Sequence, residues 1–102
     1  MNRKELVYQV VKKIPQGKVL TYKKVGALAD KTNPRVVGNY LHQNQNPAEI
    51  PCHRVVSSDG KLAKNFAFGG DNAQLEKLRD EGIIFKRAKV DLSSCLWKID
   101  YV

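Results

Sequence analysis

Apolar residues recur at helical spacing from the start of the chain. Leu6, Val7, Val10, Val11 and Ile14 share one face, with Asn2 placed to cap the first turn and Pro15-Gln16-Gly17 placed to end the helix. A second, shorter periodic stretch runs from Tyr22 to Ala29 behind Thr21, a good N-cap, and buries Val25, Leu28 and Ala29. After a break at Asp30-Lys31-Thr32, Asn33-Pro34 repeats the start signal, because a proline at the first helical position loses an N–H that has no partner there. The helix it opens carries Val37 and Leu41 one turn apart. Two short helices joined by a tight turn form a candidate helix-turn-helix.

Beyond them the pattern weakens. His42 to Ile50 is polar and reads as a loop, Arg54 to Ser57 as a strand, and Asp59-Gly60 as a hairpin turn returning through Lys61-Leu62. Asp71 with Gln74 three positions on has the form of a capping box, opening a helix that buries Leu75 and Leu78 and stops at Gly82. Ile83-Ile84-Phe85 restarts as an extended run, and Val90, Leu92, Leu96 and Trp97 make a short closing element. The sum is a mainly α chain with a small β-hairpin, read as a single domain over residues 1–102.

Composition agrees and adds a partner. With 42% apolar and 27% charged residues the chain is globular, and 18 Lys and Arg against 10 Asp and Glu leave a net charge of +8. That excess favours a polyanion, nucleic acid first. A membrane surface is the rival, but no long apolar span or basic amphipathic helix supports it, and solubility alone would also account for the charge. Two cysteines are too few for a disulfide scaffold, and Met1-Asn2-Arg3-Lys4-Glu5 lacks the apolar core of a signal peptide, so a cytoplasmic location, nucleoid-associated in a bacterium, is expected.

The chemistry concentrates in Pro51-Cys52-His53-Arg54-Val55, where a thiol adjoins an imidazole. A thiolate is the better nucleophile, and free cysteine titrates near about 8.5. Neighbours in a regular strand point to opposite faces, so Cys52 and His53 can cooperate only in a turn or through a bridging water. Glu49, Glu76, Asp80 and Glu81 are the carboxylates that could orient the histidine, and spacing does not choose among them. Other readings are a buried apolar cysteine, a Cys52–Cys95 disulfide, a zinc site of His42, Cys52, His53 and Cys95 without the usual paired spacing, and a cysteine hydrolase using Cys52, His53 and Asn46.

That motif resembles the acceptor site of the O6-alkylguanine-DNA alkyltransferases, and the resemblance extends over nearly the whole chain. It implies a winged-helix-like DNA-binding domain of the alkyltransferase C-terminal type, without the separate N-terminal domain of most members. It further implies double-stranded DNA carrying O6-alkylguanine as partner, a base turned out of the duplex, and irreversible transfer of the alkyl group to Cys52, with no metal or cofactor. His53 would draw the thiol proton through a water, Glu81 would polarise His53, and Asn46, in Asn46-Pro47, would hold the turn. Tyr22 would help rotate the target phosphate and line the pocket, and Arg35 would fill the space left by the flipped base. Pro34, Gly38 and Asn39 would meet the minor groove, although Val36, Asn39 and Tyr40 are bulkier than the small residues usual there. Phe66, Ala67, Gly69 and Gly70 correspond to the loop closing the pocket, with Ala67 in place of the common serine and one residue inserted. The alternative is an alkyltransferase-like protein, which binds the lesion without transfer and signals to excision-repair proteins; those characteristically carry another residue, often tryptophan, at the position of Cys52. A monomer is expected.

Overall fold

The computed structural model describes residues 2–62 and 70–98. Helix α1 (Arg3–Lys12) opens where Asn2 accepts a hydrogen bond from the Glu5 N–H at 2.8 Å. Its apolar stripe delivers Val7, Val11 and Ile14 to the core, with Leu6 and Val10 at the margin. Strand β1 (Leu20–Thr21) leads straight into α2 (Tyr22–Leu28), capped by the Thr21 hydroxyl, and α3 (Pro34–His42) is capped by Asn33. The three helices pack on one another around Val25, Ala29, Val37 and Leu41. This is the helix-turn-helix that the sequence predicts, and its turn is sharp: Asp30 and Lys31 both take the left-handed conformation, at φ 58° and 56°. Thr32 is buried and closes the turn twice, by its N–H to the Gly26 carbonyl and its hydroxyl to the Ala29 carbonyl.

A polar loop then brings the chain to a single 3-10 turn, Cys52–Arg54, and to β2 (Val55–Val56). Here the expected hairpin is misplaced. The turn at Asp59-Gly60 exists, with Gly60 at φ 87°, but Lys61 and Leu62 form no strand. Instead β2 pairs in parallel with β1, Leu20 opposite Val55 and Thr21 opposite Val56. Both valines are wholly buried, so the segment is driven into the core rather than along a surface hairpin. The antiparallel hairpin lies later, between β3 (Phe85–Lys86) and β4 (Lys89–Val90). Its two-residue loop, Arg87-Ala88, has φ 54° and 65°, the positive values such loops need, without the glycine or asparagine that advertises them.

Helix α4 (Gly70–Asp80) begins one residue before Asp71 and packs on the 3-10 turn. Its buried face is Gln74 and Leu78, both at 0% exposure, with Leu75 only partly covered. The closing element is α5 (Leu92–Cys95), capped by Asp91; Val19 bridges Leu96 beside it and accepts a hydrogen bond from the Trp97 N–H. A second core cluster of Val19, Val56, Leu78, Ile83, Val90 and Cys95 joins these parts. Among the described residues no helix is long and apolar enough to cross a membrane.

Candidate functional site

Cys52 and His53 lie in the 3-10 turn rather than in a regular strand, so the alternation that would put their side chains on opposite faces does not apply. Both are largely buried, at 5% and 8% exposure. The turn and the loop that leads into it are each held by a buried amide side chain. From α4, the Gln74 side-chain amide donates to the His53 and Val55 carbonyls at 3.1 and 3.2 Å. From the preceding loop, the buried Asn44 amide donates to the Ile50 carbonyl at 2.9 Å, while its oxygen accepts from the Asn46 N–H at 2.9 Å.

Asn44 also lies near enough to Cys52 to favour its thiolate, against the effect of burial. The asparagine side chain that ties down the loop leading into the turn is that of Asn44, two positions before Asn46. Asn46 takes part through its backbone, its carbonyl accepting from the Glu49 and Ile50 N–H groups, and its own side chain is exposed.

Of the four candidate carboxylates, Glu81 reaches the histidine. His53 Nε2 lies 3.0 Å from Glu81 Oε2, and the Arg54 guanidinium grips the same carboxylate with Nε at 2.9 Å from Oε1 and Nη2 at 2.5 Å from Oε2. Burial acts to raise the Glu81 pKa, but the hydrogen bonds and charges of Arg54 and His53 outweigh it and hold the carboxyl below its ordinary value. Glu81 is thus an acceptor at neutral pH, and His53 must present Nε2–H to it, which leaves Nδ1 as the basic nitrogen. Burial lowers the His53 pKa against the pull of Glu81, so the ring is neutral at pH 7. Burial raises the Cys52 pKa, opposed by the Asn44 hydrogen bond, a backbone hydrogen bond and the charge of Lys77. The resting group is therefore a protonated thiol beside a neutral base. It needs proton removal before it can act as a nucleophile.

Tyr22, the first residue of α2, is half-buried and faces the same centre: burial raises its pKa and the Cys52 charge adds to the effect, so its hydroxyl stays protonated. Tyr8 behaves likewise, and its hydroxyl donates to the Tyr40 carbonyl at 2.6 Å, tying α1 to α3. On α3, Pro34, Arg35 and Asn39 are exposed and Gly38 is half-buried next to Tyr22. Arg35 stands in the first turn, with its side chain clear of the core. Gly70 opens α4, while Phe66, Ala67 and Gly69 of the expected pocket loop lie outside the described residues.

The rival uses of the cysteines meet the geometry differently. Both thiols are free, and Cys95 belongs to the second core cluster, where it accepts from the Ile84 N–H at 3.4 Å. Among the described residues no three His, Cys, Asp or Glu side chains converge as a metal-binding group, so His42, Cys52, His53 and Cys95 do not assemble.

Asn44 and Tyr8 carry no signal in the sequence, while Gln74 stands out only as the partner of Asp71 in a capping box and Arg54 only as a member of the Pro51–Val55 motif.

Three comparisons bear on this arrangement. Residues 2–83 match the family model described as the DNA-binding domain of 6-O-methylguanine DNA methyltransferase. The chain is 35% identical over 83 residues to the methylated-DNA--protein-cysteine methyltransferase of Rattus norvegicus, covering 78% of this chain but 38% of that protein. It is 31% identical over 98 residues to alkyltransferase-like protein 1 of Schizosaccharomyces pombe, covering 90% and 91%. The crystal structure of that yeast protein with damaged DNA containing O6-carboxymethylguanine superposes with a TM-score of 0.84 at 28% identity, over 95% of each chain. The chain thus spans well under half of the rat methyltransferase and nearly all of the yeast protein.

Proposed function

The chain belongs to the 6-O-methylguanine DNA methyltransferase family, and from that premise we propose that it repairs duplex DNA by turning out O6-alkylguanine and taking the alkyl group irreversibly onto Cys52. The observation that carries this reading is the thiol itself, buried beside a neutral histidine whose proton-bearing nitrogen is engaged by Glu81. Non-transferring members of the family characteristically have another residue there.

In the proposed reaction α3 enters the minor groove and Arg35 fills the gap left by the flipped nucleotide, its planar cation facing the orphaned base. Flipping costs a few kcal/mol, least for a base whose pairing is already damaged. The Cys52 proton passes through a water to His53 Nδ1. The sulfur electron pair attacks the alkyl carbon, the carbon–O6 bond breaks, and its electron pair stays on the guanine. The Tyr22 hydroxyl, kept protonated by its surroundings, donates to the departing base. One protein accepts one alkyl group, so the chain acts once, as a monomer and without a cofactor.

A second reading rests on the near end-to-end match to the yeast alkyltransferase-like protein: a lesion sensor that binds O6-alkylguanine, transfers nothing, and hands the site to excision-repair proteins. Intact-protein mass after incubation with a duplex containing O6-methylguanine separates the two. A one-methyl gain located at Cys52 is expected; binding with no gain in mass would sink the transferase and favour the sensor.

A further inference from the structure

Arg54 is the fourth residue of the Pro51–Val55 motif and has no part in the reaction just described. Its guanidinium nevertheless has three placed donors. Nε and Nη2 take the two oxygens of Glu81, and Nη1 donates to the Ile14 carbonyl at 2.8 Å, two residues past the end of α1. The Arg54 and Glu81 side chains are 16% and 13% exposed, so water competes little for these bonds.

The consequence is geometric. Both carboxylate oxygens are held by a planar fork, and the fork is itself pinned to a carbonyl forty residues away in sequence. Glu81 cannot swing without breaking one of these bonds. Its Oε2 is therefore presented to His53 Nε2 in one orientation. A ring turned to the other tautomer would set a lone pair against that oxygen and lose a hydrogen bond.

We propose that Arg54 is a positioning residue for alkyl transfer: by clamping Glu81 it locks His53 in the Nε2–H tautomer and so assigns Nδ1 as the nitrogen that takes the Cys52 proton. The inference rests on the reading of His53 as the base for Cys52. Lysine cannot replace the clamp, because an ammonium is a point donor and cannot span two carboxylate oxygens and the Ile14 carbonyl together.

The test uses the full chain with 15N-labelled histidine, where imidazole nitrogen shifts read the tautomer near pH 7.5 without DNA; His42, which is exposed, is assigned through His42→Gln. Wild-type His53 is expected as a single Nε2–H form. Arg54→Met and Arg54→Lys are expected to give a mixture with the Nδ1–H form. Single-turnover methyl transfer from an O6-methylguanine duplex should fall by roughly 10- to 100-fold, part of the ~10²–10⁴ that a positioned base supplies, with lesion binding unchanged. If Arg54→Met does not fold, Arg54→Lys, which keeps a cation against Glu81, carries the test. A lysine variant that keeps the Nε2–H form, or one that loses it yet transfers at the wild-type rate, overturns the proposal. A wild-type protein that transfers nothing refutes the underlying reading and the role in transfer with it, whereas normal wild-type transfer with an indifferent variant refutes Arg54 alone.

Discussion

Gly26 and Gly38 lie on the adjacent helices α2 and α3, and replacing each by alanine should have opposite effects on stability. Intrinsic helix propensity favours alanine over glycine by about 0.8–1.0 kcal/mol at either position. At Gly26 the structure forbids it. A Cβ there would stand 2.0 Å from the Thr32 carbonyl oxygen and 3.1 Å from its carbon, and real Cβ contacts do not fall below 3.0 Å. The Thr32 carbonyl would have to move by at least 1.0 Å, from 2.0 to 3.0 Å. It cannot move freely, because the Thr32 N–H and hydroxyl are both bonded back to α2 and the side chain is buried. Opening that turn separates α3 from α2. Overpacking of this kind costs about 1–3 kcal/mol, occasionally more, which exceeds the propensity gain and is a sizeable part of the about 5–15 kcal/mol that holds a domain together.

At Gly38 the nearest atom to a new Cβ is Tyr22 Cε1 at 3.9 Å, so nothing opposes the propensity term. Urea denaturation of the two variants should therefore show Gly26→Ala destabilised by about 1–3 kcal/mol and Gly38→Ala unchanged or slightly stabilised. Gly26→Ala with wild-type stability would refute the close packing of the turn. Because Gly38→Ala leaves the protein's own packing intact, any loss of duplex affinity in that variant reports how closely the DNA backbone approaches α3.

Two further outcomes follow from the site. Arg35→Ala should weaken binding of an O6-methylguanine duplex by about 10- to 30-fold, the size of a truncated anchor, while thermal stability stays within about 0.5 kcal/mol because the side chain is exposed; fluorescence anisotropy and a melting curve check both, and unchanged lesion affinity would remove Arg35 from base flipping. Folding stability should form a plateau between the unfolded-state values of His53 at 6.5 and Cys52 at 9.0. The folded His53 and Glu81 bind protons less readily than the unfolded chain, so stability is lost as pH falls, first through the His53 titration and then below 4.5 through that of Glu81. The folded Cys52 holds its proton more tightly, so its contribution is present below 9.0 and lost as pH rises through the folded value; urea titrations across pH would show both edges, and stability unchanged from pH 7 to 4 would contradict the buried His53–Glu81 pair.

The helix starts were legible because capping is local: Asn2, Thr21 and Asn33 each satisfy an N–H two or three residues away, and such pairs are visible as residue types at fixed offsets. The hairpin was misread for the same reason in reverse. Asp59-Gly60 has the turn chemistry but serves to bring its carbonyl to the Val90 N–H, and a Cβ on Gly60 would meet the Val90 carbonyl oxygen at 2.5 Å. Arg87-Ala88 makes the actual hairpin with no local signal. The candidate site was half legible. Cys52 and His53 announce themselves by adjacency, but Glu81 is distinguished from Glu49, Glu76 and Asp80 only by the way α4 packs on the turn. Asn44 and Asn46 look equivalent in a polar loop, and burial alone separates them. The resemblance to the alkyltransferases supplied Glu81 where spacing could not, and it pointed to Asn46 where the buried side chain is that of Asn44.

The ladder of β1 and β2 is only two residues long, yet it is one of several closures that join segments far apart in the chain. Leu20 meets Val55 across 35 residues, Arg54 meets Ile14 across 40 and His53 meets Glu81 across 28. Each of these closures costs chain entropy before it returns any binding. The capped helices are local and need none of them. The centre around Cys52 is thus assembled from three stretches distant in sequence, whereas each helix cap is closed within two or three residues. The thiol, its histidine and the carboxylate that grips the histidine therefore come together only in the finished fold.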